Sequence, residues 1–255
     1  MKTIPQILTA TALATVLAAP AHAAFIEGTG RAEVLFGHDD DRTDDPFIQP
    51  VGTVANQSLN NADVIVAGPG DDVLIGLLGS DTMLGGPGSD ILVGGTEQGT
   101  QPNSDVQLGD AGNDVAVWAG GDGSDAFDGG SGHDALVFGT IDKVNGIPTI
   151  SPSSGRHQST GVPTADVTNQ GGFCELERVD NPSLRGYDFL VRFFSRATGT
   201  LLVTVRTRDV EQVFCTSEAG GQITFADLTS ANPSLDPIAL ADVRDLNPVV
   251  AEIVR

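Results

Sequence analysis

Aspartate recurs at a nearly fixed interval through the middle of this chain. Asp63, Asp72, Asp81, Asp90, Asp105, Asp114, Asp125 and Asp134 follow one another at spacings of 9, 9, 9, 15, 9, 11 and 9 residues. All but Asp63 and Asp105 close a glycine-rich run, and each opens a short, mainly apolar one, as in Gly85-Gly86-Pro87-Gly88-Ser89-Asp90-Ile91-Leu92-Val93. A unit this short cannot bury a core alone, so it must stack on its neighbours as a solenoid. Good copies run through residues 67–93 and 109–137, with degenerate ones ending at Val66 and Leu108.

The two halves of the unit predict different local structure. The glycine half must turn sharply, and glycine tolerates positive φ there. The half after the aspartate is a short strand, whose side chains alternate between faces. Its eighth positions are Ile65, Leu74, Met83, Leu92, Gln107, Ala116, Phe127 and Leu136, an apolar interior broken only by Gln107. Two units complete a coil, so eight units predict four coils and a rod roughly 19 Å long.

Charge narrows the ligand. The net charge is −21, and residues 57–141 hold 13 Asp plus Glu with no Lys or Arg. Such a polyanion is not drawn to nucleic acid or anionic lipid. Stacked coils bring the turn aspartates close enough to repel. Calcium relieves this, because it accepts six to eight oxygens from carboxylates and turn carbonyls. Magnesium keeps its waters, and zinc wants the His or Cys that these turns lack apart from His133.

The unit G-G-x-G-x-D-x-U-x resembles the RTX, or haemolysin-type, calcium-binding nonapeptide repeat. Gly85 to Val93 and Gly129 to Val137 match it at every defined position, and the likeness covers residues 58–139. The resemblance implies a parallel β-roll holding several Ca2+ ions between turns two units apart. The implied pairs are Asp63 with Asp81, Asp72 with Asp90, Asp81 with Asp105, Asp90 with Asp114, Asp105 with Asp125 and Asp114 with Asp134. The turn glycines implied in the sites are Gly70, Gly79, Gly86, Gly88, Gly112, Gly121, Gly123, Gly130 and Gly132.

The flanks set compartment and organisation. Lys2, the apolar residues 4–19 and Ala21-His22-Ala23 predict a secretory signal over residues 1–23, too short and diluted for a membrane span. Export to the periplasm or beyond follows, and with it a Cys174–Cys215 disulfide. Residues 24–57 read as irregular and acidic, and residues 140–172 as a linker. Residues 173–255 read as a small β-rich domain with a hairpin turning at Ser195 to Gly199 and a tail carrying one or two short helices. Its arginines Arg178, Arg185, Arg192, Arg196, Arg206 and Arg208 suit an acidic neighbour or a solvated face. The fold class expected is all-β, a parallel β-roll followed by a small antiparallel β domain.

No catalytic residue is assigned. The chain has no H-E-x-x-H, and the register of a G-x-S-x-G elbow around Ser131 fails at His133. The reading is an exported, non-enzymatic calcium-binding protein that folds at millimolar calcium. An adhesion module for cell-surface glycan or protein, and an extracellular hydrolase, are the alternatives. One outer face of the roll is uniformly aliphatic: Val73, Ile75, Ile91, Val93, Val115, Val117, Ala135 and Val137. A face this apolar must be covered, either by the Phe173 to Phe225 sheet or by a second copy of the chain.

Overall fold

The computed structural model describes residues 25–37, 62–95, 104–168 and 171–255. The expected leader and the acidic run from His38 to Asp41 lie outside the described residues. The fold is a two-sheet parallel roll finished by antiparallel strands. Along the first sheet the order is Phe25–Glu27, Val64–Val66, Thr82–Pro87, Val106–Gly112, Ala126–Asp128, Leu201–Arg208, Phe189–Ser195 and Gly172–Arg178. Along the second it is Val34–Phe36, Val73–Leu77, Ile91–Gly95, Val115–Ala119, Ala135–Ile141, Gln212–Thr216, Ile223–Asp227 and Asp236–Ile238.

The nine-residue period fixes the register. Ile65 pairs with Met83, Met83 with Gln107 and Gln107 with Phe127 in one sheet. Leu74, Leu92, Ala116 and Leu136 form the matching column in the other. All eight point inward and are at most 2% exposed. Gln107, the polar exception, is buried with the rest.

The roll is longer than the aspartates announce. Residues 25–36 form a coil before the first expected one, because Phe25–Glu27 pairs in parallel with Val64–Val66 and Val34–Phe36 with Val73–Ile75. Gly28 to Phe36 keeps the length of a unit but carries Glu33 in place of the sixth aspartate, so a search for aspartate passes over it. A further coil closes the other end. Arg206–Arg208 pairs in parallel with Ala126–Asp128, and Gln212–Phe214 with Ala135–Val137. The chain thus leaves the roll after Val137 and returns at Arg206 to complete one more coil. Strand pairing runs without a break across the boundary drawn at residue 173.

Within the excursion, residues 140–172 carry short strands rather than open linker, including Ala165–Asp166, which pairs antiparallel with Thr140–Ile141. The expected hairpin forms between Phe189–Ser195 and Leu201–Arg208. The interior continues into this end as an aromatic cluster, with Trp118 centred 5.2 Å from Phe138 and 4.9 Å from Phe193. Trp118 and Phe138 of the roll thus meet Phe193 of the antiparallel strands in one cluster. The Cys174–Cys215 disulfide, with Cα atoms 6.2 Å apart, joins the outermost region of the first sheet to the second. Closing that loop stabilises the fold by about 4 kcal/mol in the chain-entropy account.

The aliphatic outer face is covered, but by other elements than expected. Its eight residues are all fully buried. They pack with Ile141, Val162, Ala165 and Val167 of the excursion and with Val243, Val249, Val250 and Ile253 of the tail. The tail's short helices, Val243–Leu246 and Val250–Ile253, carry Val243, Val250 and Ile253, and Val249 caps the second. The hairpin strands extend the opposite sheet, and Gln212–Thr216 and Ile223–Asp227 extend this one edge-on, so the Phe173 to Phe225 strands do not form a layer over its face. A second copy of the chain has no access to this face either, because the tail fills it.

The cover makes a prediction. Val93→Asp with Val115→Asp places two unpaired charges against the tail, each costing about 4 kcal/mol or more, against a total stability of about 5–15 kcal/mol. The double variant should lose cooperative unfolding in a calorimetric melt. A wild-type melting temperature would show that the tail does not seal the face.

Candidate metal centre

Each sixth-position carboxylate sits where the coil turns into a strand. Stacking in register places it beneath the same residue of the preceding coil. Its Oδ1 then accepts that residue's backbone N–H. The distances are 2.7 Å from Asp63 to Asp81, 2.8 Å from Asp72 to Asp90 and 2.6 Å from Asp81 to Asp105. They are 2.7 Å from Asp90 to Asp114, 2.9 Å from Asp105 to Asp125 and 2.7 Å from Asp114 to Asp134. These are the six pairs that the repeat implies, gathered along two edges of the roll. All eight aspartates are buried.

The second oxygen is what points to a cation. The Oδ2 atoms of Asp72, Asp90, Asp105, Asp114 and Asp134 are buried with no hydrogen-bond partner among the described residues. An unsatisfied buried carboxylate oxygen is costly, and a metal ion is a natural partner for it. Glycine makes the room. A Cβ at Gly85, Gly109 or Gly129 would collide with the carboxylate of its own unit. A Cβ at Gly88, Gly112 or Gly132 would collide with the carbonyl oxygen of Gly70, Gly88 or Gly112 in the neighbouring coil. Gly86 and Gly130 also adopt φ of 101° and 90°, which favour glycine. Gly79 and Gly121 take positive φ in the second edge's turns. Gly123 differs, since its carbonyl already accepts the Trp118 indole N–H at 3.0 Å. Buried carboxylate oxygens and stacked turn carbonyls are the donor set of a hard cation, and they fit calcium.

Burial raises these carboxyls. It pushes Asp90 up to about 9, Asp114 and Asp134 to about 7, and Asp72 and Asp105 to about 6. The backbone N–H on Oδ1 works against the rise in each case, and neighbouring carboxylates add to it for Asp72, Asp90, Asp114 and Asp134. Without metal, the folded roll therefore prefers these groups protonated.

Some members of the site were not evident from the repeat. Asp122, a third-position residue, is buried and lies with Asp105 and Asp125 so that one oxygen of each falls within 4.8 Å of the others. Its Oδ1 accepts the Gly123 N–H at 3.0 Å. The third position of the unit is variable, so only the local excess of acid marks it. Glu33 occupies the first rung: its N–H donates to Asp72 Oδ1 at 2.6 Å, while its own Oε2 accepts the Thr29 N–H at 2.6 Å. Glu211 follows Asp134 at the far end, its Oε2 accepting the Asp134 N–H at 2.7 Å. In sequence each is marked only by an acid placed directly before a short strand, without the aspartate of the repeat.

The arginines meet acids and carbonyls of their own chain. Arg208 pairs with Asp128 and Arg192 with Glu177. Arg196 donates to Gly172 O at 2.8 Å and to Glu218 O at 2.9 Å.

The raised carboxyls give a pH prediction. Each binds its proton more tightly in the folded chain than in the unfolded one, where the value is 3.8. Their contribution to stability is therefore complete below about pH 4 and lost as pH rises through about 6 to 9. In chelator the melting temperature should be higher at pH 5 than at pH 8, and excess calcium should raise it at pH 8. A chelated protein more stable at pH 8 than at pH 5 would contradict this.

Residues 59–95 match the family model of the RTX calcium-binding nonapeptide repeat, in 4 copies. No curated protein and no solved structure matches the chain. Repeats of this kind bind calcium, and here their register continues in the structure well past the matched residues. Sequence match, parallel roll and stacked buried aspartates agree: residues 59–95 are RTX calcium-binding nonapeptide repeats, and the coils stacked on them keep the same register.

Proposed function

We propose that this is an exported, non-enzymatic protein whose roll orders around several Ca2+ ions. The observation that carries the reading is the row of buried carboxylates, each with one oxygen on a backbone N–H and, for most, the other without a partner. The ions sit between stacked turns, held by Asp72, Asp90, Asp114 and Asp134 along one edge and by Asp63, Asp81, Asp105 and Asp125 along the other. Turn carbonyls at glycines such as Gly70, Gly88 and Gly112 complete the donor set. Calcium supplies the positive charge that the buried row needs once its carboxyls give up their protons. Metal binding is then part of the folding free energy. A secretory leader and the Cys174–Cys215 disulfide support export, into surroundings where calcium is millimolar and thiols are oxidised.

The test is a calcium titration of chelated protein at pH 7.5, followed by far-ultraviolet circular dichroism and hydrodynamic radius. Strand signal should rise and the radius shrink together. Asp90→Ala should weaken calcium affinity by about tenfold or more, since loss of one buried charged ligand is worth at least ~1.4 kcal/mol. Asp39→Ala should leave it unchanged. A fully ordered spectrum in excess chelator at that pH would overturn the reading.

A further inference from the structure

The two acidic edges of the roll end in opposite ways. Along the second edge the carboxylates are Asp63, Asp81, Asp105 and Asp125, and the next coil offers Val205 at the sixth position. There Arg206 follows, its backbone N–H on Asp125 O at 2.9 Å and its Nη2 on Ser124 O at 2.9 Å. A fixed guanidinium thus lies over the last turn carbonyls of that edge. A chain that carries its own cation at this point has no use for a metal there.

Along the first edge the acid continues. The backbone pattern of the repeat runs on without change: Ala135 N–H bonds Asp114 O at 2.9 Å, and Gln212 N–H bonds Asp134 O at 3.0 Å. The side-chain pattern continues as well, with Asp134 N–H on Glu211 Oε2. Yet residues 209–211 contain no glycine and span three positions where the repeat turn, residues 129–134, spans six. Glutamate is one methylene longer than aspartate, which suits a carboxylate reaching back from a shorter turn. The nearby cation is engaged elsewhere: Arg208 is held by Asp128 and lies 3.8 Å from Asp209. Asp134 is fully buried, and its Oδ2 has no partner among the described residues.

We propose that Asp134 and Glu211 form a terminal calcium site, which fastens the coil at residues 206–214 to the last nonapeptide. This rests on calcium binding by the repeats, and it assigns a ligand outside them. Its consequence is structural. Glu211 O accepts the Leu228 N–H at 2.7 Å. Next along the chain, the Gln212 side chain donates to Leu246 O at 3.2 Å and accepts from Asn247 Nδ2 at 2.9 Å. An ion at this rung therefore orders the seat of the tail that covers the aliphatic face.

The test uses the full mature chain and calcium alone. Bound ions are counted by native mass spectrometry for wild type and Glu211→Gln, and hydrogen exchange is followed over residues 209–216 with and without calcium. The variant should hold one ion fewer, and calcium should no longer slow exchange at 209–216 while still slowing it at 72–134. An equal ion count together with unchanged calcium protection at 209–216 would overturn the proposal. Should Glu211→Gln fail to fold, wild type decides: calcium must slow exchange at 209–216, and a response confined to 72–134 would overturn it. A wild type that binds no calcium would instead refute the calcium reading of the repeats.

Discussion

One hydrogen bond organises the roll: a backbone N–H donated to the carboxylate of the coil that follows. It recurs with the period of the sequence and ties each turn to the next, in a direction that the strands alone do not specify. It also has a cost. In Asp72, Asp90, Asp105, Asp114 and Asp134 the second carboxylate oxygen has no partner among the described residues and is sealed from water by the same stacking. The geometry that makes the coils fit together thus creates a need for positive charge, which bound protons meet at low pH and which, on the function proposed above, calcium meets as they leave. Order and ligand binding become one process rather than two.

The central coils were legible because aspartate, glycine and the apolar strand are bound to a single spacing. The inward columns from Ile65 to Phe127 and from Leu74 to Leu136 follow from that spacing, as do the six stacked carboxylate pairs. The need for cover over Val73, Val93 and Val115 was legible too, since no aqueous surface suits eight aliphatic side chains in a row. Its source was not. Nothing in the local pattern of residues 140–172 or of the tail shows that Val162, Val167, Val249 and Ile253 converge on one face, because their sequence separation carries no period.

The end coils escaped for a different reason. Glu33 and Glu211 do the work of aspartate at places where the turn departs from the repeat. Thr29 satisfies the first, and a shortened turn carries the second. Substituting the acid keeps the chemistry and erases the motif. Asp122 is the converse case, an acid at a variable position whose burial becomes evident only when Asp105 and Asp125 lie beside it.

The disulfide has a consequence for how such a rod assembles. Cys215 lies in the terminal coil, and Cys174 lies in the strand that ends the opposite sheet. In a solenoid each coil gains stability only from its neighbours, so growth starts wherever two coils are first held together. The covalent link keeps the two sheets associated at one end whether or not ions are present. That end is then a standing template, and the coils add to it in sequence toward the N-terminus. The rod would be reversible along most of its length and anchored at one extremity, like a zipper whose slider is fixed at the bottom stop.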